Sequence, residues 1–91
     1  MPQITISGKE CKKIFCDRIN KQVRRILLNS DIKNDILDSL ISFESIFKKD
    51  ECIEFLYNSI NEIYLDKEIE DESKMEIIKE VKKVIKKYRE N

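Results

Sequence analysis

Residues 3–7 do most to narrow what this chain can fold into. Ile4 and Ile6 fall on one face of an extended backbone and Thr5 and Ser7 on the other, and the β-branched content suits a pleat. Pro2 fits the start of a strand, where its missing donor costs little. A strand carries a row of donors and acceptors and is not stable alone. If residues 3–7 are a strand, the chain or a second subunit must supply its partners. Gly8, the only glycine, marks the exit from this stretch. Ser7-Gly8-Lys9-Glu10 matches a capping box, with Ser7 as N-cap and Glu10 reaching back.

Two helices are legible at either end of the chain. Cys11, Ile14, Phe15, Ile19, Val23, Ile26 and Leu27 recur at spacings of three or four and predict an amphipathic helix over residues 9–28. Arg18, Lys21, Arg24 and Arg25 take the opposite side and read as a solvated face. A last helix is predicted to start near residues 71–73, with Ser73 and Glu76 as a second capping box. Its buried stripe is Ile77, Ile78, Val81, Val84, Ile85 and Tyr88. Acidic residues 68 and 70–72 precede that helix and Lys82, Lys83, Lys86, Lys87 and Arg89 end it, as the helix dipole favours.

The middle, residues 35–67, supports two readings. Ile41-Ser42-Phe43 alternates and Ile63-Tyr64-Leu65 is a short β-prone run. The partner demand of residues 3–7 then places strands at residues 40–47 and 61–66. The fold class is α+β, a single β-α-β-β-α domain over residues 1–91 with helices on one face of a sheet. Alternatively, Ile36, Leu37, Leu40, Ile41, Ile46 and Phe47 follow helical spacing, as do Cys52, Ile53, Phe55, Leu56, Ile60 and Ile63. That reading gives an all-α helical bundle.

Composition bounds the chemistry. The 91 residues suit one small domain with a modest core, for which oligomerisation is a reasonable supplement. Eighteen basic and 18 acidic residues cancel, which argues against a nucleic-acid partner. The chain has no histidine, the commonest neutral-pH base and metal ligand. Cys11, Cys16 and Cys52 form no CxxC pair, so neither a disulfide framework nor a metal site is expected. No apolar run approaches a membrane span and no secretory signal is recognisable, so no membrane partner and a cytoplasmic location are expected.

Pro2 carries the one chemical suggestion. If Met1 is removed, Pro2 presents a secondary amine, and amino termini titrate near ~7.7–8.0, suited to a general base without histidine. Met1-Pro2-Gln3-Ile4, the strand to Ser7 and the helix that follows resemble the tautomerase superfamily, which includes 4-oxalocrotonate tautomerase and macrophage migration inhibitory factor. The resemblance is closer to a bacterial branch in which a strand of the type Val-Glu-Val-x-Trp-Phe-Asp-Arg leads through an acidic turn into a helix. Here residues 60–67 stand in that place, with Tyr64-Leu65 for Trp-Phe and Lys67 for the arginine. The resemblance implies a cofactor-independent isomerase that moves a proton in a keto/enol substrate. Pro2 would be its base and Lys67 would meet a small carboxylate substrate. It also implies self-association as a trimer or hexamer. The alternative from a different class is a non-catalytic interaction or adaptor protein, either helical or a degenerate tautomerase fold.

Overall fold

The computed structural model describes residues 8–90, and every regular element among them is helical. The elements are α1 (Gly8–Arg24), α2 (Ile32–Phe43), α3 (Lys49–Leu65) and α4 (Asp71–Arg89). Helix α1 packs against α2 and α3, α4 packs against the same two, and α1 and α4 also touch, which closes a four-helix bundle.

The expected β-α-β-β-α sheet is therefore corrected to the all-helical alternative. Residues 40–43 end α2 and residues 61–65 end α3, where strands were expected. Burial shows why alternation misled. Leu40 and Phe43 are buried while Ile41 is 48% exposed, which is the three-residue return of a helix. In the second run only Ile63 is buried, and Tyr64 and Leu65 are 68% and 64% exposed. The expected strand at residues 3–7, whose partner demand favoured a sheet, lies outside the described residues, as does Ser7 of the first capping box.

Helix α1 ends earlier than its apolar spacing predicts. After Arg24 the chain tightens, with Arg25 N–H donating to the Gln22 carbonyl and Ile26 N–H to that of Val23. This three-residue pattern, common at helix ends, keeps Ile26 in the core but turns Leu27 out to solvent. Two connectors are built the same way. Asn29 Oδ1 accepts the Asp31 amide and Asp66 Oδ1 accepts the Glu68 amide, each 2.9 Å, so each side chain folds its own backbone into a turn. Helix α3 opens on Lys48, whose amide donates to the Glu51 carboxylate while its carbonyl accepts from Glu51 and Cys52. Helix α4 begins at Asp71, so Ser73 lies inside it rather than capping it.

All four phenylalanines of the chain meet in one cluster. Phe15 of α1 lies 4.2 Å from Phe43 of α2 and 5.4 Å from Phe47 in the connector. Phe55 of α3 closes the set edge-to-face, 5.1 Å from Phe47 and 6.2 Å from Phe43. The remaining core runs along Ile19 and Val23, Ile36 and Leu40, Leu56 and Ile63, and the α4 stripe of Ile77, Val81, Val84, Ile85 and Tyr88.

Phe55 is fully buried at the junction of three elements. Phe55→Ala should cost about 3–5 kcal/mol in urea unfolding. Tyr64→Ala, on the exposed end of the same helix, should change stability by no more than about 0.5 kcal/mol.

Candidate functional site

Of the two residues singled out from sequence, only Lys67 falls among the described residues. Pro2 lies outside the described residues. Lys67 is exposed in the α3–α4 connector and makes no ion pair among the described residues. Its neighbour Asp66 is the engaged group. Asp66 accepts a charge-assisted bond from Arg24 at the end of α1 and a backbone bond from Glu68, and both hold its carboxyl below the usual range. Around Lys67, then, the connector's charge is organised to tie α1 to α3.

Two of the three thiols are unsuited to nucleophilic chemistry. Burial pushes the Cys16 and Cys52 thiols up, leaving each in its neutral form. The Cys52 thiol points at the Leu40 carbonyl, 3.8 Å away, inside the core. Tyr88 beside it is also driven up by burial, with Cys52 and then the Glu44 carboxylate adding to the effect. Among the described residues no three His, Cys, Asp or Glu side chains are placed to hold a metal ion. No helix among the described residues is long and apolar enough to cross a membrane.

The surface that stands out is the outer face of the α3–α4 hairpin. These helices run antiparallel, because Tyr57 meets Arg89 at one end and the Tyr64 carbonyl meets Lys74 at the other. Between them lies an open groove of about 960 Å³ walled by Tyr64, Met75 and Ile78, with Lys74, Lys79 and Lys82 along its rim. A second hollow of about 340 Å³ continues it past Lys82 to Tyr57, Ile85 and Arg89. The α4 wall is one stripe: Asp71, Met75, Ile78, Lys82, Ile85 and Arg89 follow at intervals of four and three. That spacing sets all six on one face of α4, where Met75 and Ile78 are the apolar members left open.

Each end of the groove is fixed by a cation. Lys74 Nζ donates to the Tyr64 carbonyl at 3.2 Å, supplying positive charge to the carbonyl end of α3. Arg89 donates to the Tyr57 hydroxyl at 3.3 Å and also lies over its ring, 5.9 Å from the centroid. The walls are thus held by contacts that leave the apolar side chains open. Met75 is 73% exposed.

The sequence reading missed this surface. Tyr64 and Leu65 had been absorbed into an expected strand, and Met75 lay inside an expected capping box. The signal was present, since a heptad stripe through Asp71, Met75, Ile78 and Lys82 runs beside the buried stripe of the same helix.

Two measurements follow from this geometry. In native protein, alkylation of Cys11 should outpace that of Cys52 by roughly a hundredfold or more, because a closed thiol reacts only through opening; peptide mass mapping reads this out. In a carboxyl NMR titration Asp66 should ionise below its ordinary value of 3.8, and Arg24→Ala should move it back up. Because the folded-state value is lowered, the Arg24–Asp66 contribution to stability is complete above the unfolded value. It is lost as pH falls through the folded one.

Comparison with family models, with characterised proteins and with solved structures finds no match. Function is therefore argued from the hairpin surface itself.

Proposed function

We propose that this chain is a non-catalytic helical interaction module that receives a partner helix in the α3–α4 groove. The observation that carries this is the exposure of Tyr64, Leu65 and Met75 beside the half-buried Ile78, all on regular helices. Exposed apolar side chains gathered at one place mark association surfaces, and Tyr, Met and Arg are the residue types such surfaces favour. Methionine adapts to the shape of an incoming side chain, and tyrosine offers area at low entropic cost.

The groove suits a helix better than a small metabolite. It is long, open and lined by a heptad stripe, whereas small-molecule sites are enclosed and enfold most of their ligand. The helix-in-groove mode needs apolar anchors at i, i+3, i+4 and i+7 meeting such a stripe. The lysine rim presents aliphatic stems to an apolar guest and charge to its polar flanks.

A synthetic amphipathic helix with leucines at heptad a and d positions and glutamates at its flanks provides a direct probe. In ¹⁵N-correlation NMR, its titration should shift amides of α3 and α4 around Tyr64, Met75, Ile78 and Lys82, leaving those around Asp35 and Asp38 unmoved. Met75→Glu should weaken the binding about tenfold or more without unfolding the protein, since that side chain stands in solvent. Shifts spread evenly over the four helices, or equal binding by the Met75 variant, would remove the groove from the function.

A further inference from the structure

We infer that the occupant of the α3–α4 groove is a second copy of this chain, docked through a two-fold axis with its α4 antiparallel to the first. This rests on the interaction-module reading and names its partner.

The argument is charge complementarity along one helix. Helix α4 is acidic in its first turn, at Asp71 and Glu72, and basic in its last, at Lys86, Lys87 and Arg89. A helix polarised in this way repels a parallel copy and matches an antiparallel one at its two ends. A two-fold axis passing between Ile78 and Lys79 sets Asp71 against the second copy's Lys86. It also sets Met75 against the aliphatic stem of the second copy's Lys82. By symmetry each pair forms twice. The two Ile78 side chains then lie beside the axis, with one Met75 on each side of them and Tyr64 flanking.

The charges needed for this are available. Asp71, Lys82 and Lys86 take part in no ion pair among the described residues. The acidic groups of the same helix that are engaged lie elsewhere: Glu80 holds Lys33 of α2 and Lys83. Formal net charge is zero, so two copies approach without bulk repulsion. A 19-residue helix is about 28 Å long, and an ordinary interface calls for a modest share of the surface. That is roughly 800 Å² per partner, about an eighth of the chain's 6748 Å² surface.

The test is the oligomeric state of the full chain by analytical ultracentrifugation from micromolar to millimolar concentration, with three variants. Wild type should show a monomer–dimer equilibrium. Asp71→Lys and Lys86→Glu should each weaken the dimer roughly tenfold, since every reversal turns two attractive pairs repulsive. The double variant Asp71→Lys/Lys86→Glu should recover wild-type association, and an equimolar mixture of the two single variants should form a heterodimer. Both substitutions act at exposed positions, and circular dichroism checks that each variant keeps the helical fold. A wild type that stays monomeric throughout, a trimer or hexamer, or a dimer indifferent to both reversals would overturn the inference. A monomer that still binds the amphipathic peptide at Met75 would overturn the second copy alone. Loss of peptide binding as well would remove the interaction reading beneath it.

Discussion

The rest of the fold hangs on the contact of Phe15, Phe43, Phe47 and Phe55. These four rings come from α1, the end of α2, the connector and α3, and the edge-to-face geometry at Phe47 and Phe55 locks the connector against α3. A chain this short has little apolar area to spend, so concentrating its largest rings at one junction fixes three helices at once. Helix α4 is then added on the far side of α3 and α2 by aliphatic packing and Tyr88. This division matters for function. Apolar side chains are left exposed at the edges of that packing, with Tyr64 and Leu65 of α3 and Met75 of α4 among them.

Polar contacts refine that arrangement. Gln22 donates to Ser39 at 3.0 Å where α1 crosses α2, Lys33 of α2 meets Glu80 of α4, and Arg24 of α1 meets Asp66 after α3. Each joins two elements that also share apolar packing, so each selects an angle and register more than it adds energy. The Glu80 carboxyl, held low first by its bond from Lys33, and the Asp66 carboxyl, held low first by that from Arg24, both stay ionised wherever the bundle is folded near neutral pH. Their placement leaves Asp71, Lys82 and Lys86 outside the ion pairs of the described residues.

How much of this was legible in the sequence depended on where each signal lay. The two terminal helices were legible because their apolar residues return every three or four positions over many turns: Ile19 and Val23 in α1 and Val81, Val84 and Ile85 in α4 are all buried. The middle was misread because three-residue runs such as Ile41-Ser42-Phe43 and Ile63-Tyr64-Leu65 satisfy a pleat as well as a helix. Only the three-dimensional core shows that Ile41 and Tyr64 face water. The deciding weight came from residues 3–7, whose partner demand applies only if they are extended, and they lie outside the described residues. The two bundle helices of the middle were visible as an alternative, since Leu37, Leu40, Cys52, Phe55 and Leu56 all fall on the expected faces. The candidate site was less legible still. Pro2 and Lys67 were chosen for the chemistry their types can do, and a docking face is built from residues with no distinctive chemistry.

The groove follows from a conflict within α4 that no single residue reveals. Its buried stripe of Ile77, Val81, Val84 and Tyr88 is enough to hold it on the bundle. The adjacent seam through Met75, Ile78 and Lys82 lies at the edge of that stripe, where a monomer gains less from apolar side chains. A helix selected only for monomer stability would place polar residues at the exposed points of that seam. Met75, beside the exposed Tyr64 of α3, instead keeps a large apolar side chain in water, against the usual economy of a small domain's surface. The cost of that exposure is recovered only when a second helix covers it. The acidic-to-basic polarity of α4 then sets the direction in which a helix of the same kind can lie there. Apolar exposure supplies the driving force and charge polarity the orientation. Because both reside on the same helix, the surface is complementary to itself.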